Sequence, residues 1–186
     1  SFVSYVYAHQ SKGIFYLRIE DTDQKREVEN GIENIISDLK KEDILFDEGP
    51  TIGGKYGPYI QSERKEIYEA FIYDLILKGY AYPAFESKKE LEQLRKLQEK
   101  EKKRIGYYGK YAKGRDLSLE EIQKHLENKD SYVIRLKANG NFENKFEFKD
   151  CIKGKILLPS NDMDIVLLKQ DGLPTYHFAH VVDDYL

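Results

Sequence analysis

Four residues with acidic or hydroxyl side chains, Glu20, Asp21, Thr22 and Asp23, follow directly on a short, mostly apolar run from Ile14 to Ile19. If that run is a strand feeding a helix, these groups sit at the strand's carboxyl end, the place where open parallel sheets bind ligands. Carboxylates there could hold an ammonium group, a basic side chain or a metal ion, with Asp21 and Asp23 as the natural pair for Mg2+. The ordinary alternative is that Thr22 or Asp23 caps the following helix while Glu20 and Asp21 are surface acids. A second concentration runs from Leu173 to Asp184 and contains Tyr176, His177, His180 and two aspartates. Tyr176 and His180 are four apart, so a helix would place both on one face where they could serve a single ligand. A buried amphipathic segment with satisfied polar tips is the alternative there. The stretch Gly53-Gly54-Lys55-Tyr56-Gly57-Pro58-Tyr59 is glycine-rich, yet the chain holds neither G-x-x-x-x-G-K-[ST] nor G-x-G-x-x-G. It reads as a structural loop and not as a phosphate cradle.

The elements that must position these groups follow from periodicity. Ile14 to Ile19 reads as a buried strand. Val28, Ile32, Ile35, Ile36 and Leu39 line one face of a helix, with Thr22 or Asp23 as its natural cap. Ile44-Leu45-Phe46 then meets the turn Asp47-Glu48-Gly49-Pro50. Ser62 is expected to cap a helix whose face is Ile67, Phe71, Leu75 and Ile76 and whose stop is Gly79. Alternating strand and helix over this stretch indicate a parallel α/β layer. After Tyr82 the character changes. A charged helix covers about Lys88 to Arg104, and Ser118 with Glu121 forms a capping box for a short helix ending near Leu126. Strand-like runs follow at Tyr132–Lys137, Phe146–Phe148, Lys155–Leu158 and Ile165–Lys169. Turn signals at Asn139-Gly140, Lys153-Gly154 and Asp171-Gly172 suit antiparallel hairpins. The reading is an α/β unit interrupted by a smaller α+β unit.

Composition narrows the function classes. The chain has 186 residues, 34% of them charged and 40% hydrophobic, with one cysteine and a net charge of −3. Cys151 by itself excludes an internal disulfide and a cysteine-rich zinc site. No apolar run reaches the roughly 20 residues needed to cross a bilayer, and residues 1–10 show no signal-peptide pattern, so a cytoplasmic location is expected. Between Glu86 and Asp116, eleven Lys/Arg face six Asp/Glu. Such a basic segment on an acidic protein could attract phosphates, or could simply be a solvated helix face.

Three strings taken together resemble the glutamyl-tRNA synthetases of bacterial type. They are Arg18-Ile19-Glu20-Asp21-Thr22-Asp23; Asp47-Glu48-Gly49-Pro50 with the run from Gly53 to Arg64; and Pro174 to Asp184. Tyr132 to Lys137 also resembles that family's insert, and the similarity runs over essentially the whole chain. It implies an α/β fold, a Rossmann-type class I catalytic domain carrying an inserted α+β domain for the tRNA acceptor end. The corresponding boundaries are 1–81, 82–169 for the insert, and 170–186 for the return. It implies a glutamate–tRNA ligase that activates glutamate with ATP and Mg2+ and transfers it to the 3′ end of tRNA, without a covalent enzyme intermediate. Glu20, matched to the acid that binds the α-ammonium, would bind glutamate together with Tyr176 and His180, while Arg18, Asp21 and Asp23 brace the pocket. Lys102, Lys103, Arg104, Lys110, Lys113 and Arg115 fall in the insert as candidate tRNA contacts. The zinc-binding cysteines of some members, expected near Tyr82 to Phe85, are absent, so no zinc is expected. The HIGH-type and KMSKS-type ATP motifs belong before residue 1 and after residue 186. The isolated chain, expected to be monomeric and away from membranes, should therefore not charge tRNA. A non-catalytic acceptor-binding fragment or split-gene product is the alternative.

Overall fold

The computed structural model describes residues 2–23 and 28–186. The chain forms two compact units, residues 1–69 with 173–186, and residues 70–172. The first is discontinuous in sequence and the second is continuous.

In the first unit, helix α1 (Phe2–Gln10) leads into the extended segment at residues 15–19. Phe15 and Ile19 bury their side chains, but Ile14 and Tyr16 are exposed, so the run is not the buried strand that its apolar residues suggest. The segment pairs in parallel with two later pieces of chain, through bridges Tyr16–Glu48 and Ile19–Ile60. Leu17 N donates to Glu48 O at 2.9 Å and Ile19 N to Tyr59 O at 2.8 Å. The parallel arrangement is thus present, but as isolated bridges and not as long strands.

Helix α2 (Gly31–Lys41) carries Ile32, Ile35, Ile36 and Leu39, and it starts after Asn30, which adopts φ 57°. Thr22 and Asp23 therefore do not cap it. Thr22 is buried, and the start expected for the helix falls partly on residues 24–27, outside the described residues. Val28 also lies before the helix and is exposed. Helix α3 (Lys65–Leu77), which begins in this unit and runs on into residues counted with the second, is preceded by a 3₁₀ turn, Gln61–Arg64. Ser62 lies inside that turn, where its hydroxyl donates to Asp21 Oδ2 at 2.5 Å, so it does not cap α3. The deeply buried residues of α3 are Tyr68 and Ile72, one position on from the expected Ile67 and Phe71. Gly79 ends this stretch at φ 73°, a conformation that costs glycine nothing. Helix α6 (Tyr176–Tyr185) closes the first unit, with Phe178, Ala179, Val182 and Asp183 buried.

The second unit holds the antiparallel sheet β1-β2-β5, built from Ala81–Ala84, Val133–Leu136 and Val166–Leu168. Helix α4 (Lys88–Lys100) stops four residues short of the expected Arg104, and helix α5 covers Leu119–Glu127. Both begin with a reciprocal capping box, Ser87 with Glu90 and Ser118 with Glu121. Strands β3 (Lys145–Asp150) and β4 (Gly154–Pro159) form a separate hairpin around Lys153-Gly154. Its turn is tied by Asp150 Oδ1, which accepts from Ile152 N and Lys153 N. Asn139-Gly140 does not turn a hairpin, since β2 pairs with β1 and β5 and not with β3, and Asp171-Gly172 leads from β5 into a helix. Among the described residues no helix is long and apolar enough to cross a membrane.

The stretch from Tyr82 to Phe85 supplies a core. Tyr82 and Ala84 pack with Tyr107 and Ala112, and Leu91, Leu94 and Val133 lie against them. Under this core sits Asp164, whose carboxylate accepts from Tyr82 OH at 2.6 Å and Ala138 N at 2.8 Å. It also pairs with Arg115 Nε at 3.1 Å. Burial, followed by the hydrogen bond to Asp164, pushes the Tyr82 phenol far above its ordinary pKa, so it remains a donor.

Candidate functional site

In the first unit the polar groups converge on a carboxylate. Asp183 on α6 has a side chain 1% exposed. Its Oδ1 accepts from Arg64 Nε at 2.9 Å and its Oδ2 from Gln61 Nε2 at 2.8 Å. Tyr68 OH lies 3.0 Å from both oxygens. Arg18 Nε stands 3.4 Å from Oδ2, and another Arg18 nitrogen donates to the Asp183 carbonyl at 3.2 Å. Two guanidiniums, an amide and a phenol thus offset the desolvation of one buried charge, as such a group requires. Burial and the neighbouring carboxylate both raise the Tyr68 phenol, which stays protonated and donating. Arg64 in turn donates to the carbonyls of Tyr56 at 3.1 Å and Pro58 at 2.8 Å, pinning the glycine-rich loop. A cavity of about 520 Å3 opens beside this cluster, with Tyr16, Arg18, Lys55, Tyr56, Arg64 and Asp183 in its lining.

The glycine-rich loop also has a local lock. Tyr59 OH donates to the Glu48 carboxylate, which lowers the Glu48 pKa. Gly54, at φ 147°, passes so close that a Cβ there would meet the Glu48 carboxyl carbon at 2.4 Å. The loop is structural in this respect, as its sequence indicates.

Of the residues singled out in sequence, Glu20 follows buried Ile19 directly and is exposed. An exposed carboxylate is free to approach an ammonium group. Asp21 is engaged elsewhere, since it accepts from Ser62 N at 2.8 Å as well as from the Ser62 hydroxyl and so holds the 3₁₀ turn. Asp23 is exposed. Arg18 reaches Asp183 and lies over the Tyr16 ring at 5.4 Å. Tyr176 and His180 do share a helix face, with their rings stacked at 5.6 Å and 17°. His180 Nε2 is also 3.2 Å from Asp184. Sequence reasoning passed over Asp183, Gln61, Arg64 and Tyr68 as site residues. The available signal was the spacing Tyr176, His180, Asp183, which is one helical stripe.

The basic candidates of the second unit divide into two kinds. Arg104 pairs with Asp162 and lies over the rings of Phe142 at 3.8 Å and Tyr108 at 4.7 Å. Arg115 is tied to Asp164 and to the Ala138 carbonyl. Both arginines are engaged by partners within the unit. Lys110 is 3.5 Å from Glu101, while Lys102, Lys103 and Lys113 are exposed. Among the described residues no group of three or more His, Cys, Asp or Glu could hold a metal ion.

Residues 1–186 match the family model described as tRNA synthetases class I (E and Q), catalytic domain. The chain is 55% identical over 189 residues to a glutamate–tRNA ligase of Acetivibrio thermocellus, covering 100% of this chain and 35% of that protein. It is likewise 55% identical to the enzyme of that name in Clostridium beijerinckii, covering 96% of this chain and 33% of that protein. Among solved structures it is similar to a glutamate tRNA ligase from Elizabethkingia meningosepticum in complex with its amino acid. That similarity has TM-score 0.86 and 39% identity, over 98% of this chain and 37% of the other. The chain thus spans about a third of the length of the relatives it matches. It belongs to the class I tRNA synthetases (E and Q) and corresponds to part of their catalytic domain.

Proposed function

We propose that these residues carry the amino-acid half of a glutamate-activating site, in a protein that charges tRNA with glutamate. The observation that carries this reading is the 55% identity, over the whole chain, to glutamate–tRNA ligases. The exposed Glu20 carboxylate receives the α-ammonium group of glutamate. Tyr176 and His180, stacked on one face of α6, line the same pocket. In the reaction a glutamate α-carboxylate oxygen attacks the α-phosphorus of ATP, taken as its Mg2+ complex, and pyrophosphate leaves. The 2′-hydroxyl of the terminal adenosine then attacks the glutamyl carbonyl and AMP leaves. Positioning and stabilisation of phosphate charge supply most of the catalysis in such a sequence. Residues 82–169, within the second compact unit, serve as the inserted domain that holds the acceptor end, with Lys102, Lys103 and Lys113 toward phosphates.

The test is a hybrid enzyme in which this chain replaces its aligned segment of the Acetivibrio thermocellus ligase. Glutamate-dependent ATP–pyrophosphate exchange reports adenylate formation. Loss of one charge-assisted contact, worth about 1.5–3 kcal/mol, should lower kcat/KM for glutamate by roughly 10–150-fold in Glu20→Ala. Near-normal exchange by that variant would refute the assignment of Glu20.

A further inference from the structure

We propose that Asp183 is a positioning residue for amino-acid binding, setting the strand that ends in Glu20 against the helix that carries Tyr176 and His180. The inference rests on the glutamate-site reading above. Its basis is the origin of the donors around one buried carboxylate. Arg18 lies two residues before Glu20, and both its contacts with Asp183 end on the same residue of α6. Gln61 and Arg64 come from the 3₁₀ turn, and Tyr68 from the start of α3. The backbone N–H of Gln61 also donates to the Ile19 carbonyl at 3.0 Å, one residue before Glu20. On α6, Asp183 stands three residues after His180 and seven after Tyr176, on the same stripe. The strand, the turn and the helix therefore meet through a single side chain.

Two features mark this as a device for geometry more than for stability. A buried ion pair often contributes no more than well-packed apolar residues of the same volume, whereas its hydrogen bonds fix direction. Gln61 is 1% exposed and its side chain donates to Asp183, yet among the described residues its Oε1 has no hydrogen-bonding partner. An orphaned buried acceptor costs stability. Its presence fits a side chain placed for the direction of its amide donor. Arg18 is the member nearest Glu20, and removing it leaves Asp183 three other donors.

Kinetics of the same hybrid enzyme separate positioning from folding. Arg18→Gln should raise KM for glutamate about 10-fold while kcat and KM for ATP stay within about 2-fold. Arg18→Lys should recover most of the loss, because it restores a charge at Asp183. Asp183→Asn should show the same pattern more strongly, but it leaves two arginines poorly matched and is read only if its Tm is within a few degrees of the parent. The softer Tyr68→Phe replaces it otherwise, with a rise in KM for glutamate of about 3-fold. An unchanged KM for glutamate in Arg18→Gln overturns the proposal. So does a parallel loss of kcat and both KM values together with a fall in Tm, which marks a structural role alone. If Glu20→Ala impairs exchange and Arg18→Gln does not, the positioning role fails and the glutamate site stands. If Glu20→Ala is near normal, the site itself fails.

Discussion

Replacing Asp164 with alanine should destabilise the second unit by about 3–5 kcal/mol. The magnitude follows from what the carboxylate serves. It pairs with Arg115 and accepts from Tyr82 OH at 2.6 Å and from Ala138 N at 2.8 Å. Tyr82 and Ala138 are buried, so neither donor finds water when the acceptor goes. Arg115 has a side chain 21% exposed and can turn partly to solvent, which favours the lower end of the range. Tyr82→Phe removes one donor and leaves the acceptor with its other partners, so it should cost only about 1 kcal/mol. Urea unfolding of the 186-residue chain, followed by near-ultraviolet circular dichroism of its tyrosines, gives the totals. Hydrogen exchange at the Ala138 amide localises the loss, since that proton is bound to Asp164 Oδ1. A change below about 1 kcal/mol in Asp164→Ala, or full protection of Ala138 in that variant, refutes the reasoning.

Carboxylates that accept local hydrogen bonds contribute stability on the acid side. Glu90 is lowered by the Ser87 hydroxyl, Glu121 by the Ser118 amide and Asp150 by the Lys153 amide. A lowered folded-state pKa contributes stability that is complete above the ordinary value and disappears as pH falls through the lowered one. Helix content should therefore hold above pH 4.5, the ordinary glutamate value, and decline below it. Titration of Glu90 at or above 4.5 by carboxyl-carbon NMR would contradict this. For the hybrid enzyme, Lys102→Ala, Lys103→Ala and Lys113→Ala should each reduce the slope of log affinity for tRNA against log salt by about 0.9 if the contact is to duplex phosphate. Arg104→Ala should lower thermal stability, because that side chain is held by Asp162 and two rings; an unchanged Tm would show that it is not.

What could be read from the sequence was what local chemistry decides. The Ser118–Glu121 box starts a helix, and the Lys153-Gly154 turn joins two strands whose register it sets. Sequence reasoning passed over the equivalent Ser87–Glu90 box, although the same local signal was there. That Tyr176 and His180 share a helix face followed from a spacing of four. Errors arose where a distant partner prevailed over a local one. Asp21 and Ser62 both looked like residues for their own neighbourhoods, yet they bond to each other across 41 positions. Thr22 had a capping side chain, but it is buried and the helix begins at Gly31. Asp183 stood in plain view within a string of family likeness. Its role depends on Arg18, Gln61, Arg64 and Tyr68, none of which a local pattern links to it. On α3 the expected Ile67, Phe71 and Leu75 are half-buried beside the fully buried Tyr68 and Ile72, and Tyr68, weakly apolar in a helical pattern, also bonds to Asp183.

The same carboxylate imposes an order on the making of the protein. Arg18 and Asp183 are separated by 165 positions, and the whole of residues 70–172 lies between them. A ribosome adding roughly 5–20 residues each second delivers every part of the continuous unit before it delivers Asp183. Through that interval Arg18, Gln61, Arg64 and Tyr68 have no acceptor at the centre of their cluster, and the early segment waits for helix α6.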